Sequence, residues 1–305
     1  MDDRQQPLRQ PRILKSPERN KRVIPLSFQL AGGALNLVSR LHNEWAADVL
    51  ARLWFTVFKA KPKPWVADFW ASADERVELP VYEVTIPIHV WGEGPLVVLM
   101  HGWSGSGAQY RYFIPALVEA GFRVACFDAP EHGGNPGRRT HMLRFSASLL
   151  GIQQRLGPID CVIAHSLGGM AATYALRQGL RPARMVLVAP HLDVRKMFET
   201  YRDLLSMRPV LAHRFHDKIG EGMAALFDGR DPWEELVPAR LLDHLELTGM
   251  LVYDYEDPEI TLAQFEEMVQ LWQGVRVHTT RGLGHNRILK DSAVIDAIVG
   301  FLRND

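Results

Sequence analysis

From residue 77 onward the chain alternates short unbroken apolar runs with longer segments of helical period, and that rhythm limits the folds open to it. The runs fall at residues 96–100, 122–127, 160–164, 185–189, 249–253 and 275–279. Runs without polar alternation suit strands covered on both faces, as in a parallel sheet between helical layers. Helical candidates lie between them, near 108–120, 141–155, 167–179, 261–273 and 292–303. Two more runs, 77–84 and 85–91, read as strands at a sheet edge. The expectation is an α/β domain over residues 77–305, built on a doubly wound, mostly parallel sheet.

The rhythm breaks once. Between Pro190 and Thr248 there is no strand candidate, only helix-like pieces at 194–207, 210–226 and 233–247. An insertion of this size is expected to cap the site, over about 191–247. Its Met197, Phe198, Tyr201, Met207, Phe215 and Phe227 suit an apolar pocket wall and are equally ordinary core residues. Ahead of the α/β domain, residues 23–76 read as a helical extension. Ala34, Leu37, Val38, Leu41, Trp45, Val49, Leu53 and Val57 recur every three or four residues, which predicts a helix over 34–58. Packing on the main domain is the favoured use of that helix. Membrane contact through it is the alternative and is not favoured. Residues 1–22 are polar and basic and read as a flexible tail.

Composition narrows the function. The chain has 305 residues, with 35 Lys and Arg balancing 35 Asp and Glu, so net charge makes no case for nucleic acid. The stretch 23–39 follows a basic segment but is diluted by Pro25, Ser27, Gln29, Gly32, Gly33 and Asn36, which argues against a signal peptide or a membrane span. Cys126 and Cys161 sit in apolar runs, outside any Cys-x-x-Cys pair, and read as reduced core residues. A cytoplasmic protein is expected.

The strongest local signal is Ala164-His165-Ser166-Leu167-Gly168-Gly169, at a junction between strand and helix. A serine on such a turn is pushed out above the sheet, and crowding demands small residues two before and two after it. Here those residues are Ala164 and Gly168. Directly after an earlier strand, His101-Gly102-Trp103-Ser104-Gly105-Ser106-Gly107 supplies a glycine-rich loop able to present backbone N–H groups. In this arrangement the oxyanion donors would be Trp103 and Leu167. No Gly-Lys-Ser/Thr follows the loop, which excludes a Walker A phosphate cradle, and there is no dinucleotide-binding Gly-x-Gly-x-x-Gly. A serine needs a base. His285, on a glycine-flanked loop before the last helix, is expected to swing onto it. His101 and His165 are expected to be structural. His132 and His141 are expected near the pocket, while His191, His213, His216 and His244 fall in the cap and need only be solvated. The acid that orients the base has four candidates: Asp254, Glu256 and Asp257 in one segment, and Asp193 after the preceding strand. Each is equally suited to capping a helix or carrying surface charge.

Together these residues resemble the α/β-hydrolase superfamily, in particular its serine esterase, lipase and thioesterase-like members. The resemblance covers about residues 80–305. It rests on His101-Gly102-Trp103, Asp128-Ala129-Pro130-Glu131-His132-Gly133, the serine turn and Gly284-His285, in the family's order. The family's D-x-x-D-x-x-[VI] segment falls on Asp254 to Ile260, which places its acid on Asp257. Ala164, Glu131 and Asn135 depart from the usual pattern. The resemblance implies the α/β-hydrolase fold and an ester or thioester hydrolase acting through Ser166, His285 and Asp257, with Asp254 and Asp193 as alternative acids. It implies no cofactor and no metal. The partner is a small acyl substrate, expected to be apolar. The alternatives are a non-catalytic binding protein on the same scaffold and a membrane-associated lipase or acyltransferase.

Overall fold

The apolar runs pair side by side into one eight-stranded sheet. The computed structural model describes residues 26–243 and 245–304; the tail expected over 1–22 and His244 lie outside the described residues. The strands are β1 (Glu75–Val81), β2 (Val84–Trp91), β3 (Leu96–Met100), β4 (Arg123–Phe127), β5 (Ile159–His165), β6 (Arg184–Val188), β7 (Thr248–Asp254) and β8 (Arg276–Thr280). Their order across the sheet is β1-β2-β4-β3-β5-β6-β7-β8. The contacts β1/β2 and β2/β4 are antiparallel and all the others parallel. β3 and β6 are buried at every position, as continuous apolar runs require, whereas the edge strand β1 alternates buried and exposed residues.

Thirteen α-helices accompany the sheet among the described residues. α1 (Leu26–Val38), α2 (Asn43–Trp54) and α3 (Trp65–Ala71) precede it. α4 (Phe113–Glu119), α5 (Met142–Leu156) and α6 (Leu167–Arg177) connect the first strands. α7 (Val194–Leu204), α8 (Pro209–Ala224), α9 (Pro232–Glu235) and α10 (Pro238–Leu241) fill the interval between β6 and β7. α11 (Leu262–Leu271), α12 (Gly284–Arg287) and α13 (Ser292–Asn304) complete the chain. One core cluster joins β1, α5, α6 and the α7–α8 helices; a second lies on the other face, under α4 and α13.

Three expectations need correction. The helix predicted over 34–58 is two helices, α1 and α2, broken at residues 39–42. Its expected inner face is also not the buried one: Ala46, Ala47 and Leu50 are fully buried, while Leu37, Leu41 and Trp45 stand exposed. The break explains this, since a continuous period cannot be carried through a turn. The piece predicted over 233–247 is reduced to α9 and α10, each four residues long and each opened by a proline at its first turn.

The doubly wound order sets the site. The chain leaves β3 for β4 on one side and reaches β5 on the other, so the carboxyl ends of β3 and β5 border a crevice at the switch point.

Candidate active site

Ser166 sits at the turn from β5 into α6 with φ 53° and ψ −124°, a left-handed conformation that costs a non-glycine residue about 1–3 kcal/mol. Neighbouring backbone holds it there. Its N–H donates to the Val188 carbonyl at 3.1 Å, and its carbonyl accepts from Gly169 at 2.9 Å and His191 at 3.1 Å. Close approach explains the small residues around it. A Cβ on Gly168 would lie 2.5 Å from the His101 carbonyl oxygen, and one on Gly102 would lie 2.8 Å from the Ser166 Cβ. Ala164 is fully buried between Met100 of β3 and Leu187 of β6, so the extra methyl is absorbed as core.

His285 Nε2 lies 3.0 Å from Ser166 Oγ, and its Nδ1 lies 2.8 Å from Asp257 Oδ2. A carboxylate only accepts, so Nδ1–H donates to Asp257 and Nε2 is left to accept the Ser166 hydroxyl proton. Asp257 is fixed through its other oxygen: Oδ1 accepts the amides of Glu259 at 2.7 Å and Ile260 at 3.0 Å. The expected swinging loop is instead the one-turn helix α12. His165 donates from Nε2 to the His285 carbonyl at 2.9 Å, and Arg287 donates to Leu283 and Gly282 carbonyls. His285 is therefore pre-positioned.

The competing acids have other work. Asp254 is completely buried; Oδ2 accepts from Thr280 Oγ1 at 2.7 Å and from the Leu283 amide at 3.0 Å, and Oδ1 from the Glu256 amide at 2.9 Å. Burial disfavours its charge, but these bonds outweigh burial and hold its carboxyl below the usual range. It anchors the β8–α12 turn that carries His285. Asp193 caps α7, accepting the amides of Arg195 at 2.9 Å and Lys196 at 3.3 Å. Glu256 stays on the surface.

The structural histidines behave as such. His101 donates from Nδ1 to the Gly102 carbonyl and accepts at Nε2 from the Ala129 amide, and burial lowers its pKa. Burial brings His165 and His132 down to about 3, and His141 to about 4. His132 lies beneath Trp103 and Phe145, while His141 reaches the cavity wall. Glu131, where a glycine is usual, takes φ 60° and pairs with Arg144 at 2.8 Å.

Two residues of the site escaped the sequence reading. His191, read as a solvated cap residue, follows β6 and lines the cavity, with Nε2 3.4 Å from Glu259 Oε2. Glu259 Oε2 also lies 3.6 Å from His285 Nε2. Burial opposes its charge, but the His191 bond and the His285 and His165 rings hold its carboxyl down at about 2. The signal was available: Glu259 sits two residues past Asp257, and His191 lies at the carboxyl end of a central strand. The potential ligand atoms of His191, Glu259 and His285 lie within 4.8 Å of one another, the one group found among the described residues that could hold a cation.

A cavity of about 710 Å³ opens over Ser166 and His285. Gly102, Trp103 and Leu167 line the same cavity as the serine. Of the six cap residues suggested for its wall, Met197 and Tyr201 line it; Met207, Phe215 and Phe227 are core, and Phe198 packs against Phe215 and Trp233. The extension adds Phe28, Leu35, Trp54 and Phe58 to the wall, and Val194, Leu204, Leu205 and Met223 come from the interval between β6 and β7.

Comparisons with known proteins bear on the fold. The profile of the alpha/beta hydrolase fold matches residues 95–217. The pimeloyl-[acyl-carrier protein] methyl ester esterase of Vibrio atlanticus is 36% identical over 106 residues, 34% of this chain and 40% of that protein. A non-heme haloperoxidase of Rhodococcus erythropolis is 33% identical over 103 residues, 32% of this chain and 38% of that protein. The chain thus spans less than half the length of these relatives. Among solved structures, the esterase Pf2001 of Pyrococcus furiosus superposes with a TM-score of 0.59 at 16% identity, covering 81% of this chain and 97% of that one.

Proposed function

We propose that the chain is an α/β-hydrolase, a reading supported by the match of residues 95–217 to that fold's profile, and that it is a serine hydrolase cleaving a carboxylic ester or thioester through an acyl-enzyme. One observation carries the reading: Ser166, His285 and Asp257 come from three different turns after β5, β8 and β7 and meet in a continuous hydrogen-bonded line. Chance burial does not align a strained serine, a correctly oriented imidazole and a carboxylate locked by two amides.

In this reading Ser166 Oγ attacks the acyl carbonyl while His285 Nε2 takes its proton. Asp257 keeps the imidazole in the right tautomer and stabilises its charged form. The Trp103 and Leu167 amides form the oxyanion hole, Leu167 at the start of α6, whose dipole favours negative charge. The tetrahedral species collapses as His285 returns the proton to the leaving oxygen or sulfur. Water, deprotonated by the same histidine, then attacks the acyl-enzyme and frees the acid. The acyl group lies among Leu35, Trp54, Met170, Met197, Tyr201 and Leu205, so its chain is apolar. A cytoplasmic site of action fits Cys126 and Cys161, both buried and free.

The test is a panel of p-nitrophenyl esters of graded chain length. Turnover is expected to rise with chain length until the cavity is filled, and Ser166→Ala is expected to lose roughly a thousandfold or more in kcat. Turnover of every ester unaffected by Ser166→Ala would sink the proposal.

A further inference from the structure

The N-terminal extension is apolar on two sides. α1 holds no charged side chain. Its inner row, Ser27, Phe28, Ala31 and Leu35, walls the cavity. It is docked on the α7–α8 turn by two close contacts. A Cβ on Gly32 would lie 2.1 Å from the Leu205 carbonyl oxygen, and Asn36 donates to the Ser206 carbonyl and accepts the Arg208 amide, both at 2.9 Å. Its outer row is just as apolar and faces solvent: Leu26, Leu30 and Leu37 are 64–68% exposed. Leu41, in the turn after α1, and Trp45, on α2, are exposed as well, and Phe58 is both exposed and part of the cavity wall. A surface helix ordinarily carries charge outward, and one that is apolar all round is buried in something.

Charge identifies what covers it. The first 63 residues contain twelve Lys and Arg against five Asp and Glu, a net +7, in a chain whose net charge is zero. Everything after residue 63 therefore carries −7. Of the five acids, Glu44 is paired with Arg214 and Lys218, and Asp48 with Lys218, on α8. Lys61 and Lys63 are exposed next to Phe58. A second copy is a poor occupant, because a two-fold contact would set the same basic segment against itself. An apolar row flanked by basic residues suits a lipid surface with anionic headgroups. The thirteen residues of α1 reach only about 20 Å, too short to span a bilayer, so the helix would lie in the interface.

We propose that the α1–α2 extension docks this protein on an anionic bilayer, seating the mouth of the Ser166 cavity against the lipid. Docking stands by itself; only the delivery of an ester from the membrane rests on the hydrolase reading. The experiment is flotation of the full-length chain with phosphatidylcholine vesicles, with and without phosphatidylglycerol. The chain is expected to float with the anionic vesicles and to be released by salt. Leu30→Glu combined with Leu37→Glu should weaken binding at least about tenfold, and so should Lys61→Glu combined with Lys63→Glu. Hydrolysis of a soluble short-chain ester, unchanged in both variants, shows that they are folded. The proposal is overturned if the wild type does not float, if both variants bind like it, or if the outer leucines hold a dimer that ignores vesicles. Vesicle binding without any ester hydrolysis would instead remove the hydrolase reading and leave the docking.

Discussion

At the scale of single residues, the account depends on which carboxylate serves His285. Asp254 and Asp257 lie three residues apart; the family resemblance favours Asp257, and in the structure Asp257 touches the imidazole while Asp254 ties Thr280 and Leu283. Asp257→Asn should therefore lower kcat by about a thousandfold or more and leave the melting temperature nearly unchanged. Asp254→Asn should lower both, because it loosens the turn that carries His285. Asp193→Ala should cost about 1 kcal/mol of stability and leave kcat intact, as loss of a helix cap does. Glu259 offers a finer test. Its charge, 3.6 Å from Nε2, favours the protonated imidazole. Glu259→Gln removes that support, so the acid limb of the pH–rate profile should move to lower pH; an unmoved limb would mean that Glu259 does not act on His285. Ser166 and His285 were legible in the sequence because small neighbours and element boundaries mark them. Glu259 and His191 read as surface charge and a solvated ring, because their positions, two residues past Asp257 and just after a central strand, suit those roles equally well.

At the scale of elements, every strand was legible to within three residues at either end, the central ones most closely because a doubly covered strand must be apolar throughout. The helices between β6 and β7 were partly legible. Residues 233–247 failed because prolines at 232 and 238 restart the chain twice. The α1–α2 break failed for a different reason: a 3.6-residue period survives a short turn by coincidence, and the period cannot say which apolar face meets protein. Gly32 carries the docking of α1. Gly32→Leu should displace the helix from the Leu205 carbonyl, expose α1 to proteolysis and raise KM for long acyl esters more than for short ones. Equal effects on all chain lengths would show that α1 does not wall the acyl site.

For the whole molecule, the sheet order brings the turns after β3, β5, β7 and β8 to one edge, and that convergence assembles the site. It also buries several neutral histidines. His132 and His165 have folded pKa values of about 3 against a usual value of 6.5. Between those limits the unfolded chain binds more protons than the folded one, so stability falls as pH drops from about 6.5 toward 3. The melting temperature should decline through this window, and less steeply in His132→Phe. No helix among the described residues is long and apolar enough to cross a membrane. The most direct test of the central claim is labelling of the folded chain by a fluorophosphonate, with the modified peptide mapped by mass spectrometry. The account predicts one adduct, on Ser166, lost in Ser166→Ala and strongly slowed in His285→Ala. An unlabelled folded chain, or an adduct that maps elsewhere, would contradict it.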